Sequence, residues 1–229
     1  MQIAPEPSLP KALIEVVPAK VGLVMTPEQR NFTHSESRTG MTYAIALGGG
    51  QQQLARRILE STFREVNEFP DLETARQTAD LQAVFEPRIE QFSFATAQET
   101  GGDYVAVTIR YRINVYAPNG ERFDSLTLTG YGTATAEGLG SAQSLEEASK
   151  SAMRDAAARF LTQFPATEVA RALGGGKKLE VSTEDAMRAL AASGLRIEAI
   201  PIRVSRRTDP AWVPKKPEIN SPSSLPAGP

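Results

Sequence analysis

Residues that commonly carry out catalysis are scarce in this sequence. Its 229 residues include no cysteine and a single histidine, His34. A disulfide, a thiolate nucleophile and a cysteine-ligated metal are therefore excluded, and a metal site would need carboxylate ligands. His34 lies among serine and glutamate residues, but no G-x-S-x-G turn is present to hold a nucleophilic serine. We predict that His34 lies in an exposed loop and that the chain has no catalytic, cofactor-binding or metal-binding residue.

A run of three glycines, Gly48-Gly49-Gly50, precedes a predicted helix. Backbone amides at such a position can hold an anion. The next residues are Gln51-Gln52-Gln53 and not the Lys-Ser/Thr pair of a P-loop, and the spacing does not match a dinucleotide-binding fingerprint. A flexible strand-to-helix turn is therefore the favoured interpretation.

Arg110 and Arg112 lie on the polar face of the most regular strand pattern in the chain, at residues 104–116. RNA-binding sheets carry aromatic side chains on their open face, whereas Tyr111 falls on the apolar face. The formal net charge of −2 also gives no general attraction for nucleic acid or an anionic membrane. We therefore predict a solvated strand face and no nucleic-acid partner.

Alternating hydrophobic residues predict a set of strands. The predicted strands lie at residues 20–25, 39–47, 81–95, 104–116 and 123–135. Pro87 indicates an edge or a bulge in the third of these strands. Gly130 and Gly132 indicate a bend or a bulge in the last one.

Two helices complete the predicted core. The first covers residues 51–67, with its apolar residues on one face, and Pro70 ends it. The second begins at a capping box formed by Ser144 and Glu147 and ends at Pro165; its alanine-rich stripe implies close approach to a sheet or another helix. The order β-β-α-β-β-β-α predicts an α+β fold, in which two helices cover one face of a mainly antiparallel sheet.

The composition changes along the chain and divides it into parts. The predicted parts are a Pro-rich extended arm (1–18), an α+β core domain (19–173), a small helix–strand extension (177–205) and a Pro-rich tail (206–229). In the extension, a strand is predicted from Leu195 to Val204, where Leu195 and Ile197, and then Ile202 and Val204, alternate around Pro201. Because the extension is too small to have its own core, we expect it to dock on the main domain or on a neighbouring subunit.

The two Pro-rich ends are the predicted contact surfaces. Proline restricts the free chain and so reduces the entropy lost when an extended arm docks. Apolar and basic side chains within these ends can anchor such a contact, and tryptophan is common at interface hot spots. The predicted partner-binding residues are Leu13, Ile14, Val16, Val17, Arg206, Arg207, Trp212 and Val213.

Residues 19–31 (AKVGLVMTPEQRN), followed by Leu47-Gly48 and a helix, resemble YajG-type lipoproteins. The likeness covers residues 19–165 and extends to other small envelope lipoproteins with a β-α-β-β-β-α core. It implies a periplasm-facing protein at the outer membrane that acts by binding. Residues 1–7 do not have the pattern of a signal peptide, and no lipobox cysteine is present. Two interpretations stay open: a cytoplasmic protein, or a mature envelope protein from which an export signal has been removed. Peripheral membrane association through a lipid anchor is expected only in the second case.

These features predict a non-enzymatic structural or scaffold subunit of a bacterial cell-envelope assembly, periplasmic or outer-membrane-associated, that acts through protein–protein contacts. The expected partners are copies of the same chain, other envelope proteins, or both. The alternative is a soluble periplasmic binding module for a small ligand or glycan, with the open sheet face and the Arg110/Arg112 stripe as its site. A deep pocket lined by these arginines would favour the alternative, and a flat face covered by another subunit would reject it.

Overall fold

The α+β class predicted from the sequence is confirmed in the computed structural model. The structure describes residues 1–7, 15–38, 40–136 and 141–181, with the backbone alone for Ser141. The predicted helix–strand extension beyond Val181 and the Pro-rich tail lie outside the described residues. The same holds for six of the predicted partner-binding residues: Leu13, Ile14, Arg206, Arg207, Trp212 and Val213.

The described strands are β1 (Gln2–Ile3), β2 (Val17–Val24), β3 (Thr33–Arg38), β4 (Met41–Ala46), β5 (Phe63–Phe69), β6 (Ala83–Ala95), β7 (Tyr104–Tyr116) and β8 (Arg122–Thr135). The described helices are α1 (Pro27–Arg30), α2 (Gly48–Thr62), α3 (Leu72–Arg76), α4 (Ala97–Thr100), α5 (Ser141–Gln163) and α6 (Glu168–Gly174). A short 3₁₀ helix, Phe164–Ala166, joins α5 to α6.

The strands form two sheets. The larger sheet has the order β5-β2-β6-β7-β8, and the smaller sheet has the order β1-β4-β3. In the larger sheet β2 is parallel to β5 and to β6, whereas β6, β7 and β8 form an antiparallel meander. A parallel pair requires a long crossover, and the connection from β2 to β5 contains β3, β4 and α2.

The alternation predicted along β7 is confirmed. Val107, Ile109 and Val115 are buried in the main core, on the sheet face that α2 and α5 cover. On β6, Pro87 lies beyond the residues that pair with β2, and the register shifts between Ile89 and Gln91. Proline is tolerated there because its missing N–H would face no neighbouring strand, as the sequence predicts for an edge or a bulge.

Helix α5 packs very closely on β8 because both surfaces carry small residues. A side-chain carbon at Gly130 would collide with the carbonyl oxygen of Ala152, and one at Gly132 would collide with that of Ala148. The close approach predicted from the alanine stripe is therefore confirmed. A bulge at the two glycines, one of the two predicted possibilities, is not present, because β8 keeps its register with β7 at both positions.

The first predicted helix, at residues 51–67, is wrong at both ends. Helix α2 begins at Gly48 and ends at Thr62, and β5 follows directly. Phe63 and Val66 have the spacing of a helical face, yet both lie in β5 and pair with β2. The backbone groups on that side of β2 need hydrogen-bond partners, and this long-range pairing outweighs the local periodicity.

Gly48 and Gly50 belong to the first turn of α2, so the predicted flexible turn is wrong. A side-chain carbon at Gly48 would collide with the carbonyl oxygen of Arg30, and one at Gly50 would collide with that of Pro5. The N–H of Gly48 also donates to the carbonyl oxygen of Phe32 at 3.0 Å. The glycines thus allow neighbouring segments of backbone to pack closely on the helix start.

Both described ends of the segment 1–18 belong to the fold, which corrects the prediction of a separate arm. Gln2–Ile3 forms β1 and pairs in parallel with β4, and Ile3, Pro5 and Pro7 are buried. At the other end, Val17 begins β2. Proline is excluded from central strands, but an extended segment at the edge of a small sheet can bury every second side chain without using every N–H.

Helix α5 begins at Ser141, so Ser144 is not the predicted N-cap. The hydroxyl of Ser144 instead donates to the carbonyl oxygen of Thr135 at 3.1 Å. Glu147 lies 3.2 Å from the ammonium group of Lys150 and does not complete a capping box. The sequence signal therefore locates the helix correctly and misplaces its first residue by about one turn.

The chain continues past the glycines at 174–176 and returns to the core. Leu179 is buried, and its N–H donates to the carbonyl oxygen of Gln82 at 2.9 Å. Residues up to Leu179 therefore still contribute to the same packed unit.

Candidate functional site

Two predicted partner-binding residues, Val16 and Val17, fall within the described chain. Val16 precedes β2 and is 49% exposed. Val17 pairs with Phe63 and is partly buried against the core. Of this pair, Val16 is the apolar side chain that faces solvent.

His34 lies in the edge strand β3, so the prediction of an exposed loop is wrong. Its Nε2 is 3.2 Å from Oε2 of Glu36, and its ring packs on Phe92 with 5.1 Å between the centroids. Nε of Arg38 donates to Glu36 at 2.8 Å, and its Nη1 donates to Glu99 at 3.0 Å. The hydrogen bond from Arg38 is the main cause that holds the pKa of Glu36 below its ordinary value. These four side chains, His34, Glu36, Arg38 and Glu99, form the His34 row. The row connects the small sheet to the β6–β7 hairpin through ionic contacts.

Arg110 and Arg112 share one acidic partner on β6. Nε of Arg110 lies 3.6 Å from Glu90, and Nε of Arg112 lies 2.5 Å from it. Neither arginine lines the main cavities of the described chain. The arginines thus form an ion-paired patch on a partly exposed strand face, and none of these three cavities supports the small-ligand alternative at this stripe.

A buried carboxylate, Glu86 on β6, is the centre of a polar cluster that the sequence did not reveal. Glu86 is only 5% exposed. One of its oxygens accepts hydrogen bonds from Arg88 at 2.6 Å and from Gln29 at 3.4 Å. The other accepts from Asn114 at 3.1 Å and from the hydroxyl of Tyr116 at 2.8 Å. Both carboxylate oxygens are occupied, so the cluster fixes β6 against β7 and α1.

Burial by itself raises the pKa of Glu86, and it is the largest single influence on this group. The hydrogen bonds donated by Arg88, Asn114 and Tyr116 together outweigh it, so the pKa of Glu86 lies below its ordinary value. The group is therefore charged at neutral pH. A carboxylate with this many donors stabilises the fold and is a poor proton acceptor.

A narrow apolar cleft lies between α2 and α5, with the large sheet as its floor. Its volume is about 40 Å³, and its lining includes Ala55, Ile58, Leu128 and Phe160. The buried hydroxyl of Tyr111 also lines it and has no hydrogen-bond partner among the described residues. Burial raises the pKa of this phenol. The cleft is large enough for a few water molecules and too small for an aromatic ring.

Within the described chain, the outer edge of β8 is a hydrogen-bonding surface with unpaired amides. The N–H of Tyr131 donates to Asp155 of α5 at 3.0 Å, and that of Ser125 donates to Asp124 at 2.6 Å. These bonds show that odd-numbered amides in this part of β8 point away from β7. The amides of Thr127 and Thr129 therefore point outward as well, and no described residue accepts from either.

The charge pattern distinguishes β8 from the other described edges. From Ser125 to Thr135 the strand has no charged residue. By contrast, the edge strand β5 carries Glu65 and Glu68 in ion pairs, and β3 carries the His34 row. Charged side chains and short strands are the usual protection against unwanted edge pairing. Strand β8 lacks both forms of protection.

The sequence contains a local signal for this site. The run SLTLTGYGTAT combines high β-propensity, threonine at alternate positions and no charge. What the sequence alone does not reveal is that β8 lies at the edge of the sheet, because that depends on the order of all five strands.

Within the described residues, no group of three or more His, Asp or Glu side chains is arranged to hold a metal ion. None of the described helices is both long and apolar enough to cross a membrane.

Comparison with known proteins gives matches among solved structures alone. No protein family matches the sequence, and no curated protein matches it significantly. A Helicobacter pylori protein provisionally named a neuraminyllactose-binding hemagglutinin homolog aligns over 82% of this chain and 98% of its own, with 10% identity and a TM-score of 0.46. A minor lipoprotein from Acinetobacter baumannii aligns over 66% and 94%, with 12% identity and a TM-score of 0.38.

A third match is a PelC dodecamer from Paraburkholderia phytofirmans, which aligns over 62% of this chain and 91% of its own chain. Its identity is 15% and its TM-score is 0.33. One of these three proteins is a bacterial lipoprotein by name, but similarity at this level does not define a family for this chain.

Proposed function

We propose that this chain is a non-enzymatic structural subunit that pairs with another polypeptide through the free edge of β8. The observation that carries this proposal is the uncharged stretch from Ser125 to Thr135, with the outward amides of Thr127 and Thr129 lacking a described partner. An exposed, regular edge strand is a template for a further strand.

The cellular setting is a second part of the proposal. Residues 19–31 resemble YajG-type lipoproteins, and that resemblance supports a role in a bacterial cell-envelope assembly at the periplasmic side of the outer membrane. In this setting, the partners are copies of the same chain or other envelope proteins. Val16, which is exposed beside the start of β2, remains a candidate for a second contact.

A double substitution of Thr127 and Thr129 by proline tests the role of the edge. Proline removes two outward donors and no hydrogen bond to β7. If each edge bond contributes about 1 kcal/mol, the apparent dissociation constant of the assembly is expected to rise about thirtyfold. Sedimentation velocity over a concentration series, with a pull-down from a detergent extract, measures this change.

The matched control replaces the same two threonines by alanine, which keeps both N–H groups and should retain association. Because proline can also strain a strand, Thr129→Lys provides an independent block of the edge by charge. Circular dichroism verifies that each variant is folded. Two results would contradict the proposal. The first is a wild-type chain that is strictly monomeric when purified and recovers no partner from the detergent extract. The second is association as strong as that of the wild type in the proline and lysine variants.

A further inference from the structure

The position of α5 limits what can pair with β8. Helix α5 lies directly over this strand, since side chains at Gly130 and Gly132 would collide with its backbone. If β8 paired with β8 of a second copy, the two strands would be about 4.8 Å apart. In an antiparallel pair that overlaps at Gly130 and Gly132, the two α5 helices would lie on the same face at a similar separation, whereas packed helices need about 8–10 Å between their axes. An extended segment without a helix above it avoids this collision.

We infer that the occupant is the segment Leu195–Ile200 from the C-terminal extension of a second copy, an inference that rests on the proposed function. Residues 182–229 lie outside the described structure, and a chain of that length can reach roughly 150 Å when extended. This is ample to reach a neighbouring molecule. Because Pro201 follows directly, the segment can provide a short added strand that ends before the proline.

The sequence of the segment matches the two faces of the β8 edge. Leu195, Ile197 and Ala199 alternate with Arg196, Glu198 and Ile200, so an extended conformation would place the first three on one apolar face and both charged side chains on the other.

Strand β8 also has an apolar face and a polar face. Leu128 and Gly130 are buried on the α5 side, and Thr127 is exposed on the opposite side. An added strand beside Ser125–Thr129, with its apolar face towards α5, would extend both the core and the polar face, with Arg196 and Glu198 beside Thr127. Its extent along β8 would end before Tyr131, whose outward amide is already bonded to Asp155.

The absence of cysteine from the sequence makes disulfide capture between full-length chains a direct test. One variant carries Thr127→Cys, and three others carry Arg196→Cys, Ile197→Cys or Glu198→Cys. Each of the three is mixed with the first and oxidised. We expect a disulfide-linked dimer with the cysteine at position 196 or 198, and about tenfold less with the cysteine at 197, because that side chain lies on the other face and its Cβ is too distant.

A cysteine in the tail, Ser223→Cys, is the matched control for random collisions and should give as little dimer as Ile197→Cys. The inference is overturned if Thr127→Cys dimerises as well alone as in the mixtures, or if none of the mixtures exceeds the control. It is also overturned if Thr127→Cys/Glu198→Cys in one chain gives an internal disulfide while the mixtures give no dimer. In any of these cases, the double proline variant at Thr127 and Thr129 separates the two proposals. If that variant still loses association, the β8 edge remains the contact surface and only the identity of the added strand is wrong.

Discussion

Replacement of Gly132 by valine is expected to lower the free energy of unfolding by about 3 kcal/mol. A Cβ at this position would meet the carbonyl oxygen of Ala148 and the amide nitrogen of Ala152. Both atoms belong to the backbone of α5, so a rotamer change cannot relieve the collision. The helix would have to move away from β8 and lose packing along its buried alanine stripe. Urea unfolding followed by circular dichroism measures the loss.

Gly49 provides the matched control, because it is also a glycine but has open space where a side chain would lie. In the first turn of α2, Gly49→Ala is expected to stabilise the fold by about 0.5–1 kcal/mol through its higher helix propensity. If Gly132→Val cost less than about 1 kcal/mol, α5 would not lie as close to β8 as described. The exclusion of a β8–β8 pair would then lose its geometric basis.

Replacement of Glu86 by alanine is expected to lower the free energy of unfolding by about 3 kcal/mol at neutral pH. Arg88, Asn114 and Tyr116 would each lose their acceptor, and buried donors without a partner are costly. This expected loss of unfolding free energy is at the lower end of the range for removing one partner of a buried ion pair. The reason is that the Arg88 side chain is 56% exposed, so water can solvate it. Chemical denaturation provides the measurement.

The same carboxylate predicts a pH dependence with a definite sign. Its pKa in the folded protein lies below the ordinary value of 4.5. Glu86 therefore contributes stability above pH 4.5, and that contribution is lost as the pH falls from there through the folded pKa. The difference in unfolding free energy between wild type and Glu86→Gln should be largest near pH 7 and shrink below pH 4.5.

Glu60 is the control for this pH effect, since its side chain is 54% exposed and forms only a surface ion pair with Arg56. Glu60→Gln should change stability little at any pH. A Glu86→Gln difference that stayed constant from pH 7 down to pH 3.5 would show that the charge of Glu86 does not stabilise the cluster.

The central β7–β8 hairpin and α5 could be predicted from the sequence because their signals are local. Tyr104–Tyr116 matches the predicted strand residue for residue, since a half-buried antiparallel strand alternates strictly. The alanine stripe of α5 likewise indicated close packing before any partner was known.

Other elements could not be predicted because long-range contacts decide them. Phe63 continues the apolar spacing of α2, yet it lies in β5 because that segment pairs with β2. His34 lies in a polar segment that resembles a loop and forms a strand through pairing with β4. The Glu86 cluster joins three segments that are distant in sequence, α1, β6 and β7, and the edge position of β8 depends on the whole strand order.

Amide hydrogen exchange at Thr127 and Thr129 in the assembled full-length protein tests the central claim most directly. Neither amide has a partner within the described chain, whereas the neighbouring Leu128 amide points towards β7 and is the internal reference. If another strand pairs with this edge, both threonine amides should exchange as slowly as Leu128, because a hydrogen-bonded amide exchanges only when the structure opens. If both instead exchange at the rate of an unprotected peptide while the protein is assembled, the edge of β8 is not the contact surface.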